Sequence, residues 1–111
     1  MKNKINVLGT DYEIFVRQDD EDPKLSECLG YCEQYSKKIV LSDMKTVEND
    51  ILCVENIDEL KKKICRHEII HAFLGESGLR SSSDWAENEE MVDWFAIQIP
   101  KINKAFEELG I

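Results

Sequence analysis

Ile57, Leu60, Ile64, His67, His71 and Leu74 follow one another in steps of three and four, the repeat of one face of an α-helix. This stripe predicts a long helix with its apolar face turned to a core. It holds both histidines of the chain, inside the pentad His67-Glu68-Ile69-Ile70-His71. Residues four apart stack on the same helical face, so the two imidazoles can address one metal ion. Glu68, one step round the helix, stands where a carboxylate can take a proton from water on that ion.

The ends of the helix are also legible. Asn56 precedes it and Glu59 follows three residues on, a capping-box spacing with asparagine in the serine role. Asp58 and Glu59 stand four residues before Lys62 and Lys63, a favourable order for weak surface pairs. Lys61, Lys62, Lys63 and Arg66 occupy mostly the other faces, and Gly75 and Gly78 mark the end.

The N-terminal half reads as strands. Apolar runs on either side of Gly9-Thr10-Asp11 predict a β-hairpin, or two adjacent strands, within residues 5–17. Asp19-Asp20-Glu21-Asp22-Pro23 reads as a solvated loop. Residues 25–35 predict a short helix or turn, then a strand around Tyr31–Tyr35. Lys38-Ile39-Val40-Leu41-Ser42 reads as a further strand after a tight turn at Ser36-Lys37. At a sheet edge this strand can pair with an extended peptide, although an internal position suits it equally. Residues 43–55 carry little signal. Beyond the polar loop 80–84, Asp84 and Glu87 repeat the capping-box spacing and predict a second helix from there. Its apolar residues include Met91, Val92, Phe95, Ala96 and Ile99; Pro100 stops or kinks it, with a final turn or two reaching Leu109. The expected fold is α+β, one domain over residues 1–111, with a small sheet packed on the pentad helix and a second helix crossing it.

A formal net charge of −9 argues against a general nucleic-acid or anionic-membrane binder. No segment has the length of a membrane span or of a signal-peptide apolar region, so a cytoplasmic location is expected. Cys28, Cys32, Cys53 and Cys65 are then expected to be reduced core or surface thiols. Cys28 and Cys32 alone do not complete a zinc knuckle.

A catalytic zinc takes three protein ligands and leaves a fourth position for water. With both histidines used, the third should be a downstream carboxylate within Glu87-Asn88-Glu89-Glu90-Met91-Val92-Asp93. An HExxH pentad followed on a later helix by E-x-x-x-D resembles the gluzincin-type metallopeptidases. His67, Glu68, His71, Glu89 and Asp93 match that pattern. The resemblance implies that Glu89 is the third zinc ligand and that Asp93 orients one ligating histidine. Glu89 and Asp93 are four apart and share a helical face; Glu90, about a quarter-turn away, is the reserve. The run Glu89–Ala96 and the segment Leu74–Leu79 further resemble the ImmA/IrrE-like and other small prophage-encoded zincins.

The expected protein is a zinc-dependent, phage-associated metallopeptidase acting on a peptide or protein. Glu68 is its general base, and Tyr31, Tyr35 or Arg80 the donor to the transition state. The alternative is a zinc-stabilised binding or regulatory module without turnover. Trp85 and Trp94 are expected in the core, with a substrate cleft as their other possible place.

Overall fold

In the computed structural model, which describes residues 3–45 and 55–111, the first turn falls one residue earlier than Gly9-Thr10-Asp11. Strands β1 (Lys4–Val7) and β2 (Thr10–Arg17) pair antiparallel with Val7 opposite Thr10, so only Leu8 and Gly9 form the loop. Their φ angles of 50° and 93° suit a two-residue hairpin, whose twist matches that of its strands. The Asn6 side chain closes the turn by accepting the Gly9 N–H at 3.0 Å and donating to Asp11 at 3.1 Å.

The acidic loop is less solvated than expected. Asp20 and Glu21 are exposed, but Asp22 is buried and accepts from Tyr31 Oη, from Arg17 at 3.1 Å and from the Lys24 N–H at 3.2 Å. It thereby caps a short 3₁₀ turn, Pro23–Ser26. Asp19 accepts from Ser42 Oγ at 2.6 Å.

Strands β3 (Gly30–Glu33) and β4 (Lys38–Ser42) complete a mixed sheet in the order β1-β2-β4-β3. β4 runs parallel to β2 and antiparallel to β3. Ile39, Val40, Leu41 and Ser42 are all buried, as a strand covered on both faces requires. Ile39 and Leu41 face the core with Val7, Tyr12 and Ile14, and Val40 sits between its register partners Phe15 and Tyr31 on the other face. Of the two positions open to Lys38–Ser42, the internal one is therefore correct. β3 lies outside β4 at one end of the described sheet, and it ends at Glu33. Tyr35 lies in the four-residue turn 34–37 with 88% of its surface exposed, not in a strand.

Helix α1 (Ile57–Glu76) covers the sheet, with Cys65 and Ala72 in the shared core. Asn56 caps it as predicted, accepting the Glu59 N–H at 3.2 Å. Gly30 lets β3 approach closely. A Cβ there would lie 3.0 Å from Ile64 Cγ2 and 3.2 Å from the Val40 carbonyl. The C-terminal end of α1 is tied to both hairpins through Glu76, which accepts from Tyr12 Oη at 2.6 Å, Lys37 Nζ at 2.5 Å and Thr10 Oγ1 at 3.3 Å.

These bonds make stability acid-sensitive. The Lys37 ammonium and the Tyr12 hydroxyl hold the Glu76 carboxyl below its ordinary 4.5. Tyr31, then the Lys24 N–H and Arg17, hold Asp22 below 3.8 against the opposing effect of burial. A carboxyl depressed in the folded state adds stability that is complete above its unfolded value and disappears as pH falls through the folded one. The urea midpoint is thus expected to fall progressively below about pH 4.5, and less steeply in Glu76→Gln. An equally steep fall in the variant would contradict the role given to Glu76.

Helix α2 (Glu89–Leu109) begins later than the Asp84/Glu87 spacing predicts. Asp84–Glu87 forms one 3₁₀ turn, and Asn88 takes the capping role by accepting the Met91 N–H at 2.8 Å. Two capping patterns compete within five residues, and the one with a bonded side chain starts the helix. Pro100 does not stop it. The helix runs on to Leu109 and closes at Gly110 with φ 71°. Val92 and Ala96 are fully buried, while Trp85 and Trp94 are 53% and 52% exposed and so lie outside the core. Cys28 and Cys32 are free thiols, Cys65 is buried in the core, and Cys53 lies outside the described residues. Among the described residues no helix is long and apolar enough to cross a membrane.

Candidate metal centre

α1 carries His67, Glu68 and His71 on its inner side, and the capped start of α2 brings Glu89 and Asp93 against them. His67 Nε2 lies 3.2 Å from His71 Nε2 and 2.8 Å from Glu89 Oε2, and His71 Nε2 lies 3.0 Å from Glu89 Oε1. Donors around a tetrahedral ion with bonds of about 2.0–2.1 Å stand roughly 3.3 Å apart, so the two nitrogens and the Glu89 carboxylate are already gathered near ligand spacing. Glu90, the reserve, is exposed and bonds to neither ring. His67, Glu68 and His71 also form a group whose donor atoms all lie within 4.8 Å of one another, able to hold a metal ion.

The protonation states agree with that capacity. Asp93 Oδ1 accepts from His67 Nδ1 at 3.1 Å and from Lys63 Nζ at 3.0 Å. Burial raises the Asp93 carboxyl, but the bonds from Lys63 and His67 outweigh it and keep it ionised. With the proton on Nδ1, His67 turns a lone pair on Nε2 toward the cluster. Burial lowers His71 below its ordinary value despite the Glu89 carboxylate, which favours the neutral, metal-binding imidazole. Glu89 is pushed up by burial and pulled down further by His71 and His67, so it stays anionic. It also occupies the first turn of α2, where the helix dipole favours a negative charge. Two imidazole nitrogens and a carboxylate converging at about 3 Å form a donor set that fits a cation. One feature departs from the usual arrangement: His71 Nδ1 is buried and has no hydrogen-bond partner among the described residues.

The centre opens on one side. Glu89 has 70% of its side chain exposed, whereas His67 and His71 have 13% and 8%. In front lies a cleft of about 280 Å³, lined by residues that include Gly30, Cys32, Glu68, His71, Arg80 and Glu89. Glu68 is buried in its wall. Burial pushes its carboxyl up to about 7, with His67 and Arg80 opposing and Glu89 reinforcing the shift. Burial, assisted by Glu68, pushes the Cys32 thiol up to about 12, so it is protonated at neutral pH.

The three candidate transition-state donors separate. Tyr35 is out in the hairpin turn. Tyr31 borders the cleft, but its alternation with Gly30 and Cys32 turns its side chain to the sheet face away from α1, where the hydroxyl is bonded to Asp22. Arg80 borders the cleft with a half-buried side chain whose Nε is 3.6 Å from Glu87. The sequence did not single out β3 as a cleft wall, although Gly30 and Cys32 sharing one face was the available signal. Lys63, read as a residue of the outer faces, in fact supports Asp93. No family model matches the chain, and no match is found among curated proteins or solved structures.

Proposed function

We propose that this protein is a zinc-dependent metallopeptidase of the gluzincin type, with His67, His71 and Glu89 as ligands. The observation that carries the proposal is the convergence of those three donors within 3.2 Å of one another, beside a buried Glu68 that belongs to no ion pair among the described residues. Its zincin-like character rests on the same pairing of the pentad helix with a following carboxylate helix and an adjoining sheet. A zinc ion there supplies a Lewis acid that polarises the scissile carbonyl and acidifies water. Asp93, by accepting from His67 Nδ1, fixes the tautomer and orientation of that ligand. The Glu68 carboxylate takes the proton of the attacking water and returns it to the leaving amine nitrogen. Arg80 is the group that can donate to the developing oxyanion.

The peptide or protein substrate lies extended along the outer edge of β3, with which no described strand pairs and which replaces β4 in that role. A cavity of about 450 Å³ continues from the cleft past Tyr31 and Cys32 toward Gln34 and Ser81, room for a substrate side chain. The resemblance of Leu74–Leu79 and Glu89–Ala96 to small prophage-encoded zincins supports a phage-associated enzyme working on a protein inside the cell. The test is zinc titration of the metal-free protein, followed by mass spectrometry of a proteome-derived peptide library incubated with the loaded form. One zinc per chain with new peptide termini is expected. Stoichiometric zinc without any cleavage would leave a zinc-stabilised binding module.

A further inference from the structure

An α-helix interior normally offers no free carbonyl, because each accepts the N–H four residues on. Pro100 breaks that rule in α2. It has no N–H, so the Ala96 carbonyl lacks its helical donor although Ala96 is fully buried. Arg66 of α1 fills the vacancy, its Nε donating to the Ala96 oxygen at 2.6 Å. The donor is adjacent in sequence to His67, and the acceptor follows Asp93 by three residues and Glu89 by seven, two helical turns.

We propose that Arg66 and Pro100 together position the metal centre by holding α2 in one register on α1. The inference rests on the metal reading of the site. Proline makes one interior carbonyl of α2 available and Arg66 engages it, so sliding or rotating α2 forfeits the bond. The clamp lies about 10 Å along the axis from Glu89, at 1.5 Å per residue. The His67–Asp93 bond is a second fixed point between them. Together they hold Glu89 against both rings while its side chain is largely exposed and has little packing of its own.

The test separates stability from positioning. Arg66→Ala leaves the buried carbonyl without a donor and is expected to lower both the thermal midpoint and zinc affinity. Arg66→Ala combined with Pro100→Ala restores an intrahelical N–H to Ala96. That double variant should regain most of the thermal midpoint yet bind zinc several-fold more weakly than the parent. Arg66→Lys, which keeps a donor, should recover part of the affinity. A double variant of parental stability that binds zinc as tightly as the parent overturns the proposal. Pro100→Ala alone keeps Arg66 but adds a competing N–H, and it should weaken zinc binding several-fold; unchanged affinity counts equally against the proposal. If the parent binds no zinc, the metal reading fails separately, and the His67 Nδ1–H signal in ¹⁵N NMR becomes the readout. Its loss in the double variant supports the clamp, and its persistence overturns it.

Discussion

Glu68→Gln is expected to lower peptide cleavage by about 10²–10⁴-fold, the usual contribution of a positioned general acid–base, while one zinc per chain remains bound. Glutamine matches glutamate in shape and can still hydrogen-bond, but it cannot take the proton of the attacking water. Glu68 is buried on α1 between the two histidines in sequence, in the cleft wall, with no cation paired to it among the described residues. A structural site would need no such group, and burying a lone carboxyl is unfavourable for folding. Steady-state cleavage of an identified peptide, with zinc measured by plasma mass spectrometry on the same sample, reads both quantities. Cleavage at the parental rate would remove Glu68 from the chemistry.

Glu89→Ala is expected to weaken zinc binding beyond the ~10–100-fold loss predicted for Asp93→Ala, because the first removes a ligand and the second only the partner of one. Glu90→Ala should leave affinity unchanged. The contrast comes from geometry: Glu89 reaches Nε2 of both rings, Asp93 reaches only the His67 ring, at Nδ1, and Glu90 bonds to neither ring. Competition titration against a chelating dye ranks the three variants. Equal losses for Glu89→Ala and Glu90→Ala would mean that the carboxylate helix does not supply the third ligand.

Where the determining signal was local, it could be read directly. The Asn56 cap and the four-residue spacing of His67 and His71 lie within one helix, and α1 matches them. Its buried line, however, is Cys65, Glu68, His71, Ala72 and Gly75, a step round from the Ile57–Leu74 stripe, of which only His71 is buried. Strand positions were likewise visible from alternation, but their order was not. β4 is internal because it pairs in parallel with β2 across a long connection, and nothing within Lys38–Ser42 encodes that partner. The start of α2 was misplaced because Asp84, Glu87 and Asn88 offer rival caps, and tertiary placement of Glu89 against the histidines agrees with the last of them. Pro100 illustrates the limit most clearly. Its missing N–H was legible and suggested a break, whereas the donor that compensates for it, Arg66, comes from another helix 30 residues away in sequence. Tyr31 fails as a donor for the same kind of reason, since its hydroxyl is claimed by Asp22 from a loop that looked solvated.

The central claim is that one ion is held by two imidazoles and the Glu89 carboxylate. A zinc-loaded crystal structure, with the ion located by anomalous scattering at the zinc edge, tests it most directly. His67 Nε2 and His71 Nε2 are expected at about 2.0–2.1 Å and a Glu89 oxygen at about 2.0–2.2 Å, with no fourth protein ligand. An ion bound elsewhere, or one held at the histidines with a cysteine sulfur at about 2.3 Å in place of Glu89, would contradict it.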